Sequence, residues 1–347
     1  MTATPRLEIV ALAPGATLQD RGRPGWQRYG LTEGGALDRP ALAEGTVLLS
    51  NPPEAAALEL SAGEARLRAL AEVWIALTGP ARPLEVNGAP RPWRAAFPVP
   101  AGAEVRIGAD PGGRWCWLHM GGGIDGPVVL GARSTHLRAG IGLVPRPGLK
   151  LCPVMPDWKA PAAPRRLDLP EPAPAGVIRL LPGAQSHLFP AGSRTAFLDE
   201  TWRVTAARDR QGMRIEGEGG PFLHEAGLTT LSDVILPGDI QITGDGRPAI
   251  LLADRQPTGG YPRIFTVIAA DLHRLTRMPT GHAFRFRLVT RAEAAAARLA
   301  LEREIAELPA RLAPLVRDPA ALSPQALLRH NLISGAVAGD DLPWQEG

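Results

Sequence analysis

The chain has 347 residues, of which 45% are hydrophobic and 21% are charged, ordinary values for a globular protein of two or three domains. The formal charge is +3, and no basic run is interleaved with aromatic residues, so the sequence argues against a nucleic-acid partner. Just two of the 38 basic residues are lysines, Lys150 and Lys159, which excludes a P-loop and disfavours a Schiff-base lysine. Lys150 lies between leucines rather than methionines, so biotin is not expected to be attached to this chain.

The cysteines and histidines indicate the compartment of the protein and whether a metal site is expected. Cys116 and Cys152 form no Cys-x-x-Cys motif, which favours a reducing compartment. The seven histidines are scattered, so no metal site is expected. The sequence shows neither a signal peptide nor an apolar segment long enough to cross a bilayer. We therefore expect a cytoplasmic protein without a membrane partner.

In chain order, the pattern predicts a mainly β protein with few helices. A helix is possible at 39–49, and strands are predicted at 74–78, 114–120, 240–243, 249–253 and 283–289. The last of these alternates apolar and charged residues, which is typical of a strand with one solvated face. Frequent Gly and Pro turns between short strands favour sandwiches or closed barrels.

Residues 145–174 hold nine prolines and predict an extended segment that is poor in ladder hydrogen bonds. We therefore predict an N-terminal β-barrel-like subdomain at 1–150, a Pro-rich linker at 151–175 and a C-terminal β-barrel subdomain at 176–290. The remainder, 291–347, is predicted as a helical tail that begins at a capping box formed by Thr290 and Glu293.

The first polar cluster lies in a glycine-rich stretch near the N-terminus and contains Gln19, Asp20, Arg23, Tyr29 and Asp38. Glycines at this density allow close approach of the backbone to a ligand. The carboxylates are candidate acids, and Arg23 is a candidate anion-binding fork. A β-turn that is fixed by Asp–Arg pairs explains the same residues equally well.

The second cluster follows a predicted strand and combines a run of glycines that includes Gly122 and Gly123 with Arg133 and Ser134. Consecutive glycines can present several N–H groups to an anion, and Arg133 could hold a carboxylate or phosphate in a bidentate manner. Ser134 is not in a Gly-x-Ser-x-Gly elbow, so it is a poor candidate nucleophile. A simple glycine-rich connection between strands is the alternative.

The third cluster, 208–217, contains Asp209 and Arg210, and the alternation from Met213 onward favours a solvated strand face. The fourth cluster is a strand end that delivers several polar side chains to a double-glycine turn. It contains Asp254, Arg255, Gln256, Thr258, Gly259, Gly260 and Tyr261. A ligand-facing rim is one interpretation, and a buried salt bridge that locks a turn is the other.

Taken together, these clusters resemble the KipA/PxpC family, which comprises the C subunit of bacterial 5-oxoprolinase and is also called allophanate hydrolase subunit 2-like. The same unit is similar to subdomain A/B of the carboxyltransferase domain of urea carboxylase. The matching stretches are Gln19-Asp20-x-Gly22-Arg23-x-Gly25, Gly34-Gly35-Ala36-x-Asp38, Gly122-Gly123-Ile124-Asp125, Leu130-Gly131-x-Arg133-Ser134-Thr135, Asp254-Arg255-Gln256-x-Thr258-Gly259-Gly260-Tyr261-Pro262 and Asn331-Leu332-Ile333-Ser334-Gly335. The family usually has a tyrosine where Met213 stands.

The resemblance implies two cyclophilin-like β-barrels and a complex with two other proteins, one KipI/PxpB-like and one amidohydrolase-like. It also implies ATP-dependent opening of 5-oxoproline, a cyclic amide, to glutamate, with ATP and Mg²⁺ at sites that the sequence does not reveal. Phosphorylation of the amide oxygen would create a good leaving group, after which water can attack. In this scheme Asp20, Asp38 and Asp254 are candidate acids or bases, and the remaining residues of the clusters bind substrate or phosphate.

Two other functions remain open at this point. One is biotin-dependent carboxyl transfer to urea or a related amide, with the biotin on another chain. The other is a regulatory role without catalysis, as a partner of a histidine-kinase inhibitor.

Overall fold

The computed structural model describes residues 4–171, 174–222 and 230–315. Its first half contains one helix, α1 (Arg39–Leu49), and twelve strands. The strands are β1 (Leu7–Leu12), β2 (Thr17–Gln19), β3 (Ala57–Leu60), β4 (Ala65–Ala69), β5 (Val73–Thr78), β6 (Leu84–Val86), β7 (Ala89–Pro90), β8 (Ala95–Val99), β9 (Glu104–Ile107), β10 (Cys116–Met120), β11 (Lys150–Leu151) and β12 (Arg165–Leu167).

The second half contains ten further strands and three helices in the described residues. The strands are β13 (Val177–Pro182), β14 (Trp202–Arg208), β15 (Gly212–Glu216), β16 (Asp233–Val234), β17 (Asp239–Ile242), β18 (Pro248–Leu251), β19 (Thr258–Gly259), β20 (Arg263–Val267), β21 (Ala283–Leu288) and β22 (Leu312–Pro314). The helices are α2 (Ala191–Asp199), α3 (Leu272–Thr276) and α4 (Arg291–Ala306).

The first half folds as two sheets that share one aliphatic core. One sheet has the order β11-β1-β4-β9-β6-β7, and the other has the order β2-β3-β10-β5-β8-β12-β22. Strand β4 alternates buried and exposed residues because one face is solvated. By contrast, β5 is buried at every position, because α1 packs on the face that the core does not cover.

The second half is a closed barrel with the order β13-β20-β17-β18-β15-β14-β21. Its core is rich in aromatic residues, with Phe197 at the centre of contacts to Trp202, Phe222, Phe265 and Phe286. The mainly β prediction is confirmed. The predicted helix at 39–49 is also confirmed, and α4 begins at the predicted capping box of Thr290 and Glu293.

The proline-rich segment is more ordered than its composition suggested. Strand β12 lies within it and pairs with β8 on one side and with β22 on the other. Residues 312–314 are therefore a strand that returns to the sheet of the first half, where a helical tail was predicted. The tail motif at 331–335 lies outside the described residues. No helix in the described part of the chain is both long enough and apolar enough to cross a membrane.

Candidate functional site

A cleft of about 580 Å³ lies at the junction of the two halves. One wall comes from loops of the first half, and the other comes from the end of β14, the turn that follows it and the strand end at Asp254. Among its lining residues are Ser61, Asp110, Trp115, Leu137, Arg138, Arg208, Asp209, Arg210, Gln211, Asp254 and Thr280. The cleft therefore contains residues from the third and fourth sequence clusters.

A buried ionic network, which we call the junction network, joins the halves at this cleft and is centred on Arg210. The Nε and Nη2 groups of Arg210 donate to Asp254 Oδ2 and Oδ1 at 2.8 and 2.9 Å. Its Nη1 group donates to Glu59 on β3, and Nη2 also donates to the Gly35 carbonyl at 2.8 Å. All five N–H donors of an arginine lie on a rigid fork, so this one side chain fixes three segments relative to one another.

Electrostatics in the junction network favour the charged arginine. Burial alone would lower the pKa of Arg210, but the carboxylates of Glu59 and Asp254 outweigh burial and raise it. Glu59 is 0% exposed, so it depends on Arg210 for compensation of its charge. Asp254 differs because it also lines the cleft, and a carboxylate can accept more hydrogen bonds than the two that Arg210 donates.

A second cluster, the Asp20 clamp, lies wholly within the first half. Asp20 Oδ1 accepts from the Gly22 amide at 2.8 Å and from the Ser134 hydroxyl, and Oδ2 accepts from the Arg133 amide. Gln19 Nε2 donates to the Thr135 carbonyl at 2.9 Å. The first and second sequence clusters are thus brought together, but the Asp20 oxygens are committed within the chain and Asp20 is not among the cleft-lining residues.

Arg23 lies behind the cleft, between the Asp20 clamp and the junction network. Its Nη2 and Nε groups donate to the carbonyls of Ser134 and Val129. Nη1 is buried and has no hydrogen-bond partner among the described residues, and burial lowers the pKa of this guanidinium. Because the side chain is 1% exposed, the predicted role as a ligand-binding fork is not supported by its position.

Asp38 has a structural explanation. It is the N-cap of α1 and accepts from the Ala41 amide at 2.9 Å, which satisfies one of the free N–H groups at the helix start. It also forms an ion pair with Arg277 of the barrel half, and it is 0% exposed. The prediction of an acid or base at Asp38 is therefore wrong for this cleft: the carboxylate holds the two halves together.

The glycine turn at 121–123 does not offer free N–H groups. The Gly121 amide donates to the Trp74 carbonyl at 2.8 Å, the Gly122 amide to Asn51 Oδ1 at 2.9 Å and the Gly123 amide to the Met120 carbonyl at 2.9 Å. Gly122 and Gly123 have φ of 83° and 71°, a region that glycine reaches without penalty. The expected anion nest is therefore wrong here, and the glycines serve a tight buried turn.

The fourth cluster divides between two surfaces. Asp254 lines the cleft, whereas Arg255 and Gln256 line an adjoining groove of about 520 Å³ beside β15, β17 and β18, which shares Arg208, Asp209 and Gln211 with the cleft. Arg255 is 1% exposed, and it donates to Gln27 Oε1 at 2.9 Å and to the Ile235 carbonyl at 3.0 Å. These bonds tie the first half to the barrel, so Arg255 also acts within the fold.

The remaining predicted residues lie near the surface. Thr258 and Gly259 form β19, which pairs with β16, and the Gly260 carbonyl accepts from the Thr230 amide at 2.6 Å. Tyr29 is 66% exposed, and its ring lies 5.6 Å from that of Trp26. Tyr261 is 38% exposed, and neither tyrosine is among the cleft-lining residues. The Arg133 side chain pairs with Asp125 at 3.4 Å.

Asp254 is the one cleft-lining residue that was predicted as a site residue, and Arg210 and Arg138 are among those that were missed. Arg210 belongs to the third cluster, for which a solvated face was favoured; that interpretation is wrong for Arg210, which is 5% exposed. Arg138 follows Ser134 by four positions in a short 3₁₀ turn, Leu137–Ala139. The one indication in the sequence of a site role for Arg138 was its position shortly after the family motif that contains Ser134.

The features discussed above do not mark a site for a nucleotide and its metal in the described residues. No group of three or more His, Cys, Asp or Glu residues that could hold a metal ion occurs within 4–171, 174–222 or 230–315. The carboxylates of Asp20 and Asp38 are occupied, and the glycine turn has no N–H groups to spare. We therefore assign no phosphate or metal contact to this part of the chain.

Comparison with known sequences shows the protein family to which this chain belongs. The profile of the family described as "Carboxyltransferase domain, subdomain A and B" matches residues 29–288, and the chain belongs to that family. It is 34% identical to the C subunit of 5-oxoprolinase from Escherichia coli strain K12, over 88% of this chain and 98% of the relative. It is also 31% identical to the C subunit of 5-oxoprolinase from Haemophilus influenzae, over 83% of this chain and 93% of the relative.

Among solved structures, the crystal structure of the K. lactis urea amidolyase superposes with a TM-score of 0.80 at 22% identity. The match covers 92% of this chain and 21% of the larger protein. At that level of identity the likeness establishes the fold alone.

Proposed function

We propose that this chain is the C subunit of an ATP-dependent 5-oxoprolinase complex. The observation that carries the proposal is the cleft between the halves, whose lining includes Asp254, a carboxylate that is 3% exposed and is held by the buried Arg210. The two bacterial relatives support this choice, because their similarity extends over 98% and 93% of their own lengths.

The chemistry of the reaction fits a carboxylate in this position. A ring amide is a poor electrophile, and ATP supplies the activation by phosphorylating the amide oxygen. Water adds to the activated carbon and gives up a proton, and the C–N bond of the ring then breaks as the nitrogen is protonated. A second water hydrolyses the resulting acyl phosphate to glutamate and inorganic phosphate. Asp254 can orient the first water or accept a hydrogen bond from the ring N–H group, because Arg210 fixes the plane of the Asp254 carboxylate. Preorganisation of this kind costs no rearrangement during the reaction.

The complex requires other proteins. We propose that a KipI/PxpB-like protein docks on this chain and that an amidohydrolase-like protein completes the assembly. Since the described residues provide no phosphate cradle, the proposal places no step of nucleotide binding on them.

The test is to co-express the chain with these two proteins and to purify the complex. With 5-oxoproline and ATP we expect equimolar release of ADP and glutamate. The release of ADP should require 5-oxoproline, and the release of glutamate should require ATP. A complex whose components are shown to be folded and associated, yet which releases neither product, would refute the function. A complex that binds but never turns over would favour the regulatory role.

Carboxyl transfer to urea or another amide is the second candidate, and the family match itself favours it. Biotin would then be carried by a different chain. The same preparation distinguishes the two: carboxyl transfer requires bicarbonate and a biotinylated carrier and is blocked by avidin, whereas 5-oxoproline hydrolysis requires neither.

A further inference from the structure

We propose that Arg138 is the residue that selects a substrate bearing a carboxylate, and this inference rests on the proposed function. It concerns the same cleft and addresses what distinguishes 5-oxoproline, which has a carboxylate on the ring, from urea and simple lactams, which have none. The supporting observations are the hydrogen-bond partners and the exposure of the charged groups in the cleft wall.

The other cations of the wall are already occupied. Arg210 donates to Glu59, Asp254 and the Gly35 carbonyl, as described above. Arg208 donates to the carbonyls of Met278 and Gly112 and lies 5.4 Å from the centre of the Trp115 ring. Burial lowers the pKa of Arg208 to about 10. Both guanidinium groups are held by carbonyl or carboxylate partners, and Arg208 Nε, which has no hydrogen-bond partner among the described residues, is buried.

Arg138 differs from both. Its side chain is exposed, and its one side-chain hydrogen bond in the described structure runs from Nη1 to Gln211 Oε1 at 3.3 Å. That partner is a neutral amide, and no carboxylate lies within ion-pair distance in the described residues. A guanidinium presents a planar fork that matches a carboxylate, so Arg138 retains the donors that an incoming carboxylate requires.

The position of Arg138 is fixed by its neighbours. His136 begins the 3₁₀ turn and accepts from the Ala139 amide at 3.3 Å, and its Nε2 lies 3.0 Å from Thr32 Oγ1. On the opposite wall, Asp209 accepts from the amides of Gln211 and Gly212 at 2.7 and 3.1 Å. The acid nearest to Gln211 in sequence thus has hydrogen-bond partners within its own turn.

Arg138 comes from the first half of the chain and Gln211 from the barrel half, so their bond spans the cleft. A substrate carboxylate would replace Gln211 as the partner of the guanidinium and would anchor one side of the ring. Asp254, in the wall of the same cleft, would face the amide. Binding energy from a group that does not react would then hold the reacting amide in position.

The experiment uses the purified complex with wild-type chain and with R138Q, R138K and R68Q, the last an exposed arginine away from the cleft. The kcat/KM ratio for 5-oxoproline over 2-pyrrolidinone, the lactam without a carboxylate, is measured for each. We expect R138Q to lower this ratio about 10- to 100-fold, chiefly through KM, with partial recovery in R138K. R68Q should retain the wild-type ratio.

An unchanged ratio in R138Q would overturn the inference, as would an equal loss on both substrates. If the wild-type complex shows no turnover, the proposed function fails, and calorimetric titration with the same two compounds decides the inference separately. Tighter wild-type binding of 5-oxoproline, lost in R138Q, would then support a carboxylate site without 5-oxoprolinase activity. Equal binding of both compounds, or of neither, would overturn it.

Discussion

The Asp20 clamp and the junction network use the same ingredients and end in different chemical states. Each consists of a buried carboxylate from a signature loop that is held by groups distant in sequence. Asp20 accepts three hydrogen bonds within the first half and does not line the cleft. Asp254 accepts from one arginine of its own half, Arg210, which also donates to Glu59 and Gly35 across the junction, and it lines the cleft. A carboxylate that lies away from the cleft stabilises the fold, whereas one that lines the cleft can also act on a ligand.

The largest test of this comparison is the removal of Arg210. The R210A substitution leaves Glu59 and Asp254 buried without a counter-charge, so we expect the free energy of unfolding to fall by about 3–5 kcal/mol. Urea denaturation of the purified chain measures the change. The control is R214A, which removes an exposed pair with Asp245 and should cost less than about 1 kcal/mol. A loss in R210A as small as the loss expected for R214A would show that the junction network is not essential for stability.

The second test separates catalysis from stability at Asp254. We expect D254N to lower kcat of the complex about 10²- to 10⁴-fold, because a positioned carboxylate typically contributes that much to a proton-transfer step. E59Q is the matched control: it removes the other acidic partner of Arg210 but does not change the cleft wall. If E59Q loses as much activity as D254N in folded complexes, Asp254 acts only by holding Arg210.

The sequence predicted the outline of this fold because strand alternation and helix capping are local. The strand at Ala283–Leu288 and the helix that begins after Thr290 needed only neighbouring residues to be recognised. Strand β12 was missed because it is three residues long and lies among prolines, where its order depends on pairing with β8 and β22. That pairing joins positions far apart in the chain.

The candidate site was predicted less completely for a related reason. The motif clusters do meet, but whether a carboxylate is filled depends on distant partners: Asp20 is satisfied by the Arg133 amide and Ser134, more than a hundred positions away. Burial of Arg210 is equally invisible in a segment that alternates polar and apolar residues. Signature residues therefore indicated the region of the site, and only the structure separates the residues that line the cleft from those that support it.

A smaller effect is expected for the Asp20 clamp. In D20N, the NH2 group of the asparagine must face either the Arg133 amide or both the Gly22 amide and the Ser134 hydroxyl, all of which are donors. One hydrogen-bond donor then remains buried and unsatisfied, at a cost of about 1–3 kcal/mol in unfolding free energy. Turnover per folded complex should stay within a few-fold of wild type. A much larger loss of turnover at unchanged stability would place Asp20 in contact with the substrate.

The smallest effect concerns His119, a buried polar group outside both clusters. Its Nε2 lies 2.9 Å from Thr78 Oγ1, and burial lowers the pKa of the imidazole from 6.5 to about 3. Between these values the unfolded chain binds a proton that the folded chain does not, so stability is lost as pH falls below 6.5. The His119 contribution to this slope is at most about 1.4 kcal/mol per pH unit. Urea denaturation of H119N between pH 7 and pH 4 should show a shallower decline than wild type, with the exposed His187 replaced as the control. An identical slope in H119N would mean that other groups cause the acid sensitivity.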